Sequence, residues 1–192
     1  MESILNAITY GEIKNVRTKL IISNREDAQG LKIAQRLGID CEVIPPKGLK
    51  GWEYDKIIAS VLSNYQITSK CGLICLAGYM RILSSDFVKI FANRIMNIHP
   101  SLLPSFPGLK PQKQALDYGV KVSGCTVHFV EEGIDTGPVI LQRHVYIDEY
   151  DDEESLTRKI LAEEHKVYPQ AIKLFEEGKL MIQGRKIKIR EY

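Results

Sequence analysis

The chain has 192 residues, 44% of them hydrophobic, 26% charged and 8% aromatic. That size and balance suit one domain over residues 1–192 with a sizeable core, and they exclude a disordered chain. A net charge of +2, from 26 Lys+Arg against 24 Asp+Glu, excludes binding to nucleic acid or a membrane surface through bulk charge. No apolar run is long enough to span a bilayer, and the opening residues do not read as a secretory signal. The expected location is cytoplasmic, with neither nucleic acid nor membrane as partner. Cys41, Cys71, Cys75 and Cys125 then read as inert thiols in or near the core, since no further Cys or His completes a zinc set around them.

Residues 4–13 carry apolar positions at roughly helical spacing. Residues 19–23 (KLIIS) are β-branched and end at a turn, which predicts a strand. Residues 27–37 predict a helix, capped by Asn24 or Asp27 and stopped by Gly38. A second strand at 40–44 is closed by Pro45 and Pro46, and a helix follows over 51–65. Residues 73–77 are almost wholly apolar, the pattern of a strand covered on both faces. A short helix at 84–91 has Ser84 and Ser85 as caps, and a strand at 94–99 runs into a segment, 100–111, that holds four prolines. Pro111 opens a helix that Gly119 closes. Strands at 122–131 and 138–147 flank a tight connection. Residues 151–178 predict a long helix interrupted near Pro169, and 179–192 a small terminal hairpin. Strands alternating with helices argue for an α/β, doubly wound sheet, in which ligands bind at the carboxyl ends of the strands. That rule gathers residues 78–83, 97–101 and 133–137 on one rim.

Three segments on this rim carry chemistry. Asn97 and His99 lie two apart in a strand and face the same side. An amide donor beside an imidazole suits stabilisation of an oxyanion together with proton transfer. The bland reading is a turn-capping Asn and a satisfied His, but the proline-bracketed segment that follows supplies a rigid wall. Asp135 sits between Gly133 and Gly137, where a carboxylate can orient His99 and favour its charged form; otherwise it is an exposed turn residue. His128 is as well explained by strand structure. Met80, Arg81, Ile82 and Leu83 follow a strand end and offer apolar and backbone contacts for a flat aromatic ligand, or simply pack strand against helix. No nucleotide-binding glycine motif, zinc motif or serine-nucleophile elbow is present.

In order, GYMRILS at 78–84, NIHPSLLPSFPG at 97–108, GCTVHFVEEGIDTGPVILQ at 124–142 and AEEHKVYP at 162–169 closely resemble the folate-dependent phosphoribosylglycinamide formyltransferases. The resemblance runs over nearly the whole chain. The elements around Asn97–His99 and Asp135–Pro138 are shared by the wider formyltransferase superfamily, and SFPGL at 105–109 selects the member. It implies a Rossmann-like formyltransferase fold with a mostly parallel central sheet. It implies an enzyme of purine biosynthesis whose co-substrate is 10-formyltetrahydrofolate and whose acceptor is phosphoribosylglycinamide; a homodimer is compatible with it. By the same resemblance Asn97, His99 and Asp135 are catalytic. Met80, Arg81, Ile82 and Leu83 hold the folate, and Ser3 and Glu164 contact the other substrate.

The family normally opens with an apolar strand and a Gly-x-Gly-Ser-Asn turn that binds the substrate phosphate. Here only Ser3 of that turn is matched, with Glu2 at a glycine position and Ile4 at the Asn position. Leu161 stands where some members carry a polar substrate contact. The expectation is therefore a chain lacking the first strand and most of the phosphate turn. Two other readings stay open: a folate-binding homologue impaired in turnover, and a formyltetrahydrofolate hydrolase. Lys47 and Lys50 are candidates for the folate tail.

Overall fold

The computed structural model describes residues 1–190. Glu191 and Tyr192, the end of the expected terminal hairpin, lie outside the described residues. The element order is α1 (Glu2–Thr9), β1 (Ile21–Ser23), α2 (Gln29–Arg36), β2 (Cys41–Val43), α3 (Trp52–Asn64), β3 (Ile74–Cys75), α4 (Ser85–Ile90), β4 (Ile95–His99), α5 (Pro111–Tyr118), β5 (Val122–Phe129), β6 (Val139–Tyr146), α6 (Glu153–Glu176), β7 (Leu180–Gln183) and β8 (Lys186–Ile189). The chain is mixed α/β, as expected. β1 pairs with β2 and β3 with β4 in parallel, while β5 pairs antiparallel with β4 and β6 antiparallel with β5, and β7 and β8 form the terminal hairpin.

Local chemistry accounts for most boundaries. Pro111 sits in the first turn of α5 and Gly119 takes the left-handed conformation after its end, the asymmetry these residues favour. Ser84 caps α4 by accepting from Phe87 N–H at 3.3 Å. α6 starts at a capping box in which Asp152 and Ser155 bond each other's backbone amides. Helix α2 departs from expectation. Neither Asn24 nor Asp27 caps it, and Ala28 stands at its N-cap. The Asp27 carboxylate is held by Arg25 at 2.6 and 2.9 Å.

Pro169 does not interrupt α6, which is continuous over 24 residues. A proline withholds one N–H and crowds the carbonyl a turn back. Here the surrounding turn is held by burial: Val167, Tyr168, Ala171 and Ile172 all enter the main core. The Tyr168 hydroxyl also reaches the carbonyls of Leu76 at 3.0 Å and Met96 at 2.9 Å. That core lies between α1, α6 and the β4–β6 sheet, and a second cluster around Tyr54, Phe87 and Ile95 fills the other face.

The first half of the sheet differs from the expected continuous layer. Residues 73–77 form a strand of only two residues, and among the described residues no strand pairs with its other edge. In parallel pairs alternate residues turn their N–H and C=O to opposite sides. Ile21 N–H bonds Asp40 and Ser23 C=O receives Ile44 N–H, so Ile21 and Ser23 face β2. Ile74 and Leu76 N–H bond Arg94 and Met96, so they face β4. Ile22 and Cys75 therefore turn their backbone groups the other way, towards a shared groove. The groove is a cavity of about 680 Å³ walled by Ile4, Ile8, Val16, Leu20, Leu73 and Ile172. Past Ile22 and Ala77 it continues into a second of about 330 Å³. Met1 lines both. It separates the β1–β2 pair from the four-stranded sheet. Among the described residues no helix is long and apolar enough to cross a membrane.

Candidate active site

Strand β4 delivers Asn97 and His99 to one face, and β5 pairs with it so that Asn97 opposes His128 and His99 opposes Thr126. Directly opposed residues share a face of a sheet, so these four side chains form a compact polar square. Both histidines are buried, His99 at 5% exposure and His128 at 2%.

His99 is gripped at both ring nitrogens. Nδ1 lies 3.2 Å from Asp135 Oδ2, and Nε2 lies 2.9 Å from the carbonyl oxygen of Phe106. A carbonyl and a carboxylate only accept, so both contacts are satisfied together when each nitrogen carries a hydrogen. Asp135 Oδ2 also receives Gly108 N–H at 2.9 Å. Asp135 itself has φ of +53°, a conformation that non-glycine residues adopt at a cost and keep where their surroundings impose it. Its loop is drawn tightly against β5. A Cβ on Gly137 would run into the carbonyl of Phe129, so only glycine fits there.

His128 has the opposite character. Its Nδ1 lies 2.9 Å from Phe129 C=O and must donate. Nε2 is then a lone pair, and it faces the Asn97 amide nitrogen at 3.3 Å. Burial pushes the His128 pKa down, outweighing the hydrogen bond to Phe129 and the Asp135 carboxylate that pull it up. A neutral ring with a fixed tautomer thus sets which way the Asn97 amide points, NH2 towards His128. Sequence reading left His128 undecided. The signal that identifies it is the cross-strand register with Asn97, which spacing along the chain does not contain.

The other candidate residues fall into separate places. Met80 and Ile82 are exposed, at 82% and 73%, while Leu83 packs on the second core cluster. Arg81 is turned inward, its guanidinium 4.3 Å from the Tyr54 ring centre and bonded to Leu49 C=O at 2.8 Å. The loop is anchored at its end by the buried Asp55 carboxylate, which accepts Ser84 N–H at 2.6 Å. Ser3 stands in α1 beside Met1. Glu164, on α6, shares its surroundings with the Met1 amine; burial pushes its pKa up to about 7 and the Met1 ammonium opposes that rise. Burial lowers the pKa of the amine in turn. The thiols match expectation except Cys71, which is exposed.

Residues 1–172 match the family described as formyl transferase. The chain is 48% identical over 164 residues to the trifunctional purine biosynthetic protein adenosine-3 of Drosophila melanogaster, covering 85% of this chain and 12% of that one. It thus spans about an eighth of that relative's length. It is 38% identical over 181 residues to phosphoribosylglycinamide formyltransferase of Escherichia coli, covering 94% of this chain and 83% of the relative. Among solved structures, glycinamide ribonucleotide transformylase 1 from Symbiobacterium toebii superposes with a TM-score of 0.93 at 48% identity, over 99% of this chain and 88% of that one.

Proposed function

The chain belongs to the formyl transferase family, and we propose that it moves the formyl group of 10-formyltetrahydrofolate to the amine of 5'-phosphoribosylglycinamide, a step of purine biosynthesis. Relatives named for that activity, at 38% identity over most of both chains, support the reading. The observation that carries it is the grouping of Asn97, His99 and Asp135 on one face, with His99 held between a carboxylate and a carbonyl.

The reaction follows from the chemistry of those groups. The acceptor amine attacks the formyl carbon and forms a C–N bond, and the carbonyl oxygen takes up negative charge. The Asn97 N–H not directed at His128 donates to that oxyanion, and the positive charge of His99, whose two N–H groups are held by Asp135 and Phe106, stabilises it through space. The amine nitrogen then loses a proton towards Asp135, through a water. The bond from the formyl carbon to N10 of the folate breaks, and N10 takes a proton. The net change is one hydrogen from amine to N10 and one formyl from N10 to amine. Removing one such electrostatic donor typically costs about 100- to 1,000-fold in rate.

The exposed Met80 and Ile82, with Arg81 and Leu83 holding their loop, serve the folate ring. Ser3 and Glu164 serve the glycinamide substrate. The test is a transfer assay with formyl-folate and acceptor. Formylated acceptor together with free tetrahydrofolate supports the proposal. Formate released at the same rate without acceptor would refute it in favour of hydrolysis.

A further inference from the structure

One buried hydroxyl connects the sheet to the loop that grips His99. Thr126 is fully buried, and it opposes His99 on β4 and Gln142 on β6. Its Oγ1 donates to Ser101 C=O at 2.7 Å, and it accepts Leu103 N–H at 3.0 Å and the Gln142 amide at 2.9 Å. One donor and two acceptors exhaust what a hydroxyl can do. The Gln142 amide also donates to Leu103 C=O at 2.9 Å. Ser101, itself fully buried, donates from its hydroxyl to Ser105 C=O. Two residues fix three backbone groups of the 100–106 loop, and Ser101 closes that loop on itself. The next carbonyl, of Phe106, receives His99 Nε2.

We propose that Thr126, assisted by Gln142, is a positioning residue: it sets the Phe106 carbonyl and through it the ring of His99. The inference rests on the reading of His99 as the charged group of the reaction, and neither residue touches the reacting atoms. Shape alone does not explain the site, because valine would fill the same volume. Valine would leave Leu103 N–H and Ser101 C=O unpaired in a buried loop, which favours a loop shift over an unmet hydrogen bond.

The test compares Thr126→Val, Thr126→Ser and Gln142→Met in the full chain. In the wild type the His99 Nε2 hydrogen, held on the Phe106 carbonyl at 2.9 Å, should give a protected ring resonance in 15N-edited NMR. Thr126→Val should lose that resonance and lower kcat by about 10- to 100-fold, the cost of misplacing a catalytic group by about 1 Å, with both KM values little changed. Thr126→Ser should restore both. If the valine variant does not fold, Gln142→Met, on the edge strand, should move the resonance and kcat in the same direction by less. An unmoved resonance in the folded variants overturns the inference, as does serine failing to rescue. A wild type inactive in transfer whose resonance still depends on Thr126 refutes the functional reading alone.

Discussion

Glu164→Gln should change how stability depends on pH. Burial raises the Glu164 carboxyl from 4.5 to about 7. The folded chain therefore keeps a proton there that the unfolded chain releases above about 4.5. The sign follows: this contribution is fully present below the unfolded value and is lost as pH rises through about 7. A displacement of that size corresponds to about 3 kcal/mol, and partial solvent access reduces it to about 1–3 kcal/mol. The Met1 amine acts with opposite sign. Its pKa falls below 8.0 on folding, so folding disfavours its charged form and regains stability as pH rises towards 8.0. The neighbouring thiols and phenol do not titrate in this range, since Cys75 and Cys125 are pushed up to about 12 and Tyr168 is also raised by burial. Urea midpoints of wild type and Glu164→Gln across this range should coincide near the acid end. Above the folded Glu164 value the variant should be the more stable, by about 1–3 kcal/mol. Parallel curves, with a constant offset from acid to neutral, would refute the assignment of a desolvated carboxyl.

Three further outcomes follow. His99→Ala should lose transfer by about 100- to 1,000-fold and lower the thermal midpoint while still unfolding cooperatively, because it leaves the Asp135 carboxylate and the Phe106 carbonyl without their partner; a rate within a few-fold of wild type in the folded variant would sink the catalytic assignment. Gly137→Ala forces a methyl group into the Phe129 carbonyl and should destabilise by about 1–3 kcal/mol, read as a lower urea midpoint at unchanged slope. Joining an extended apolar strand ahead of Met1 should raise the thermal midpoint and protect the Ile22 and Cys75 amides from hydrogen exchange, because these face the groove. A proline-interrupted strand should do neither.

Much of the fold was legible because particular residues leave little choice. Pro111 and Gly119 mark both ends of α5, and the tight connection between two strand-like runs marks β5 and β6. What was not legible depended on partners distant in sequence. Asp27 has the chemistry of a helix cap, but Arg25 takes its carboxylate. Pro169 reads as a break, but the burial of the turn around it holds α6 together. The 73–77 run reads as a covered central strand, while its open edge depends on what lies beside it. In the candidate site, the shared face of Asn97 and His99 was readable from period two, and the tight turn around Asp135 from its glycines. His128 and Thr126 were not, because their roles come from register across β4 and β5.

The two halves of the sheet divide the proposed work. Asn97, His99, Asp135, His128 and Thr126 belong to β4, β5 and the loops they carry, where antiparallel ladders run from β4 through β6. Glu164 and Ser3 stand at the other boundary, near Met1, which lines the open groove. Backbone pairing is sparser along the groove than in the β4–β6 ladders, so the polar square stands in the better-paired half. Local stability is lowest where backbone pairing and apolar contact are fewest. The proposed chemical step therefore rests on the better-paired half, and filling the groove should act on Ser3 and Glu164, the residues proposed for the acceptor. In the strand-extended chain this appears as a lower KM for the glycinamide substrate with kcat and the folate KM unchanged. A change in kcat alone would place the coupling between groove and His99 instead.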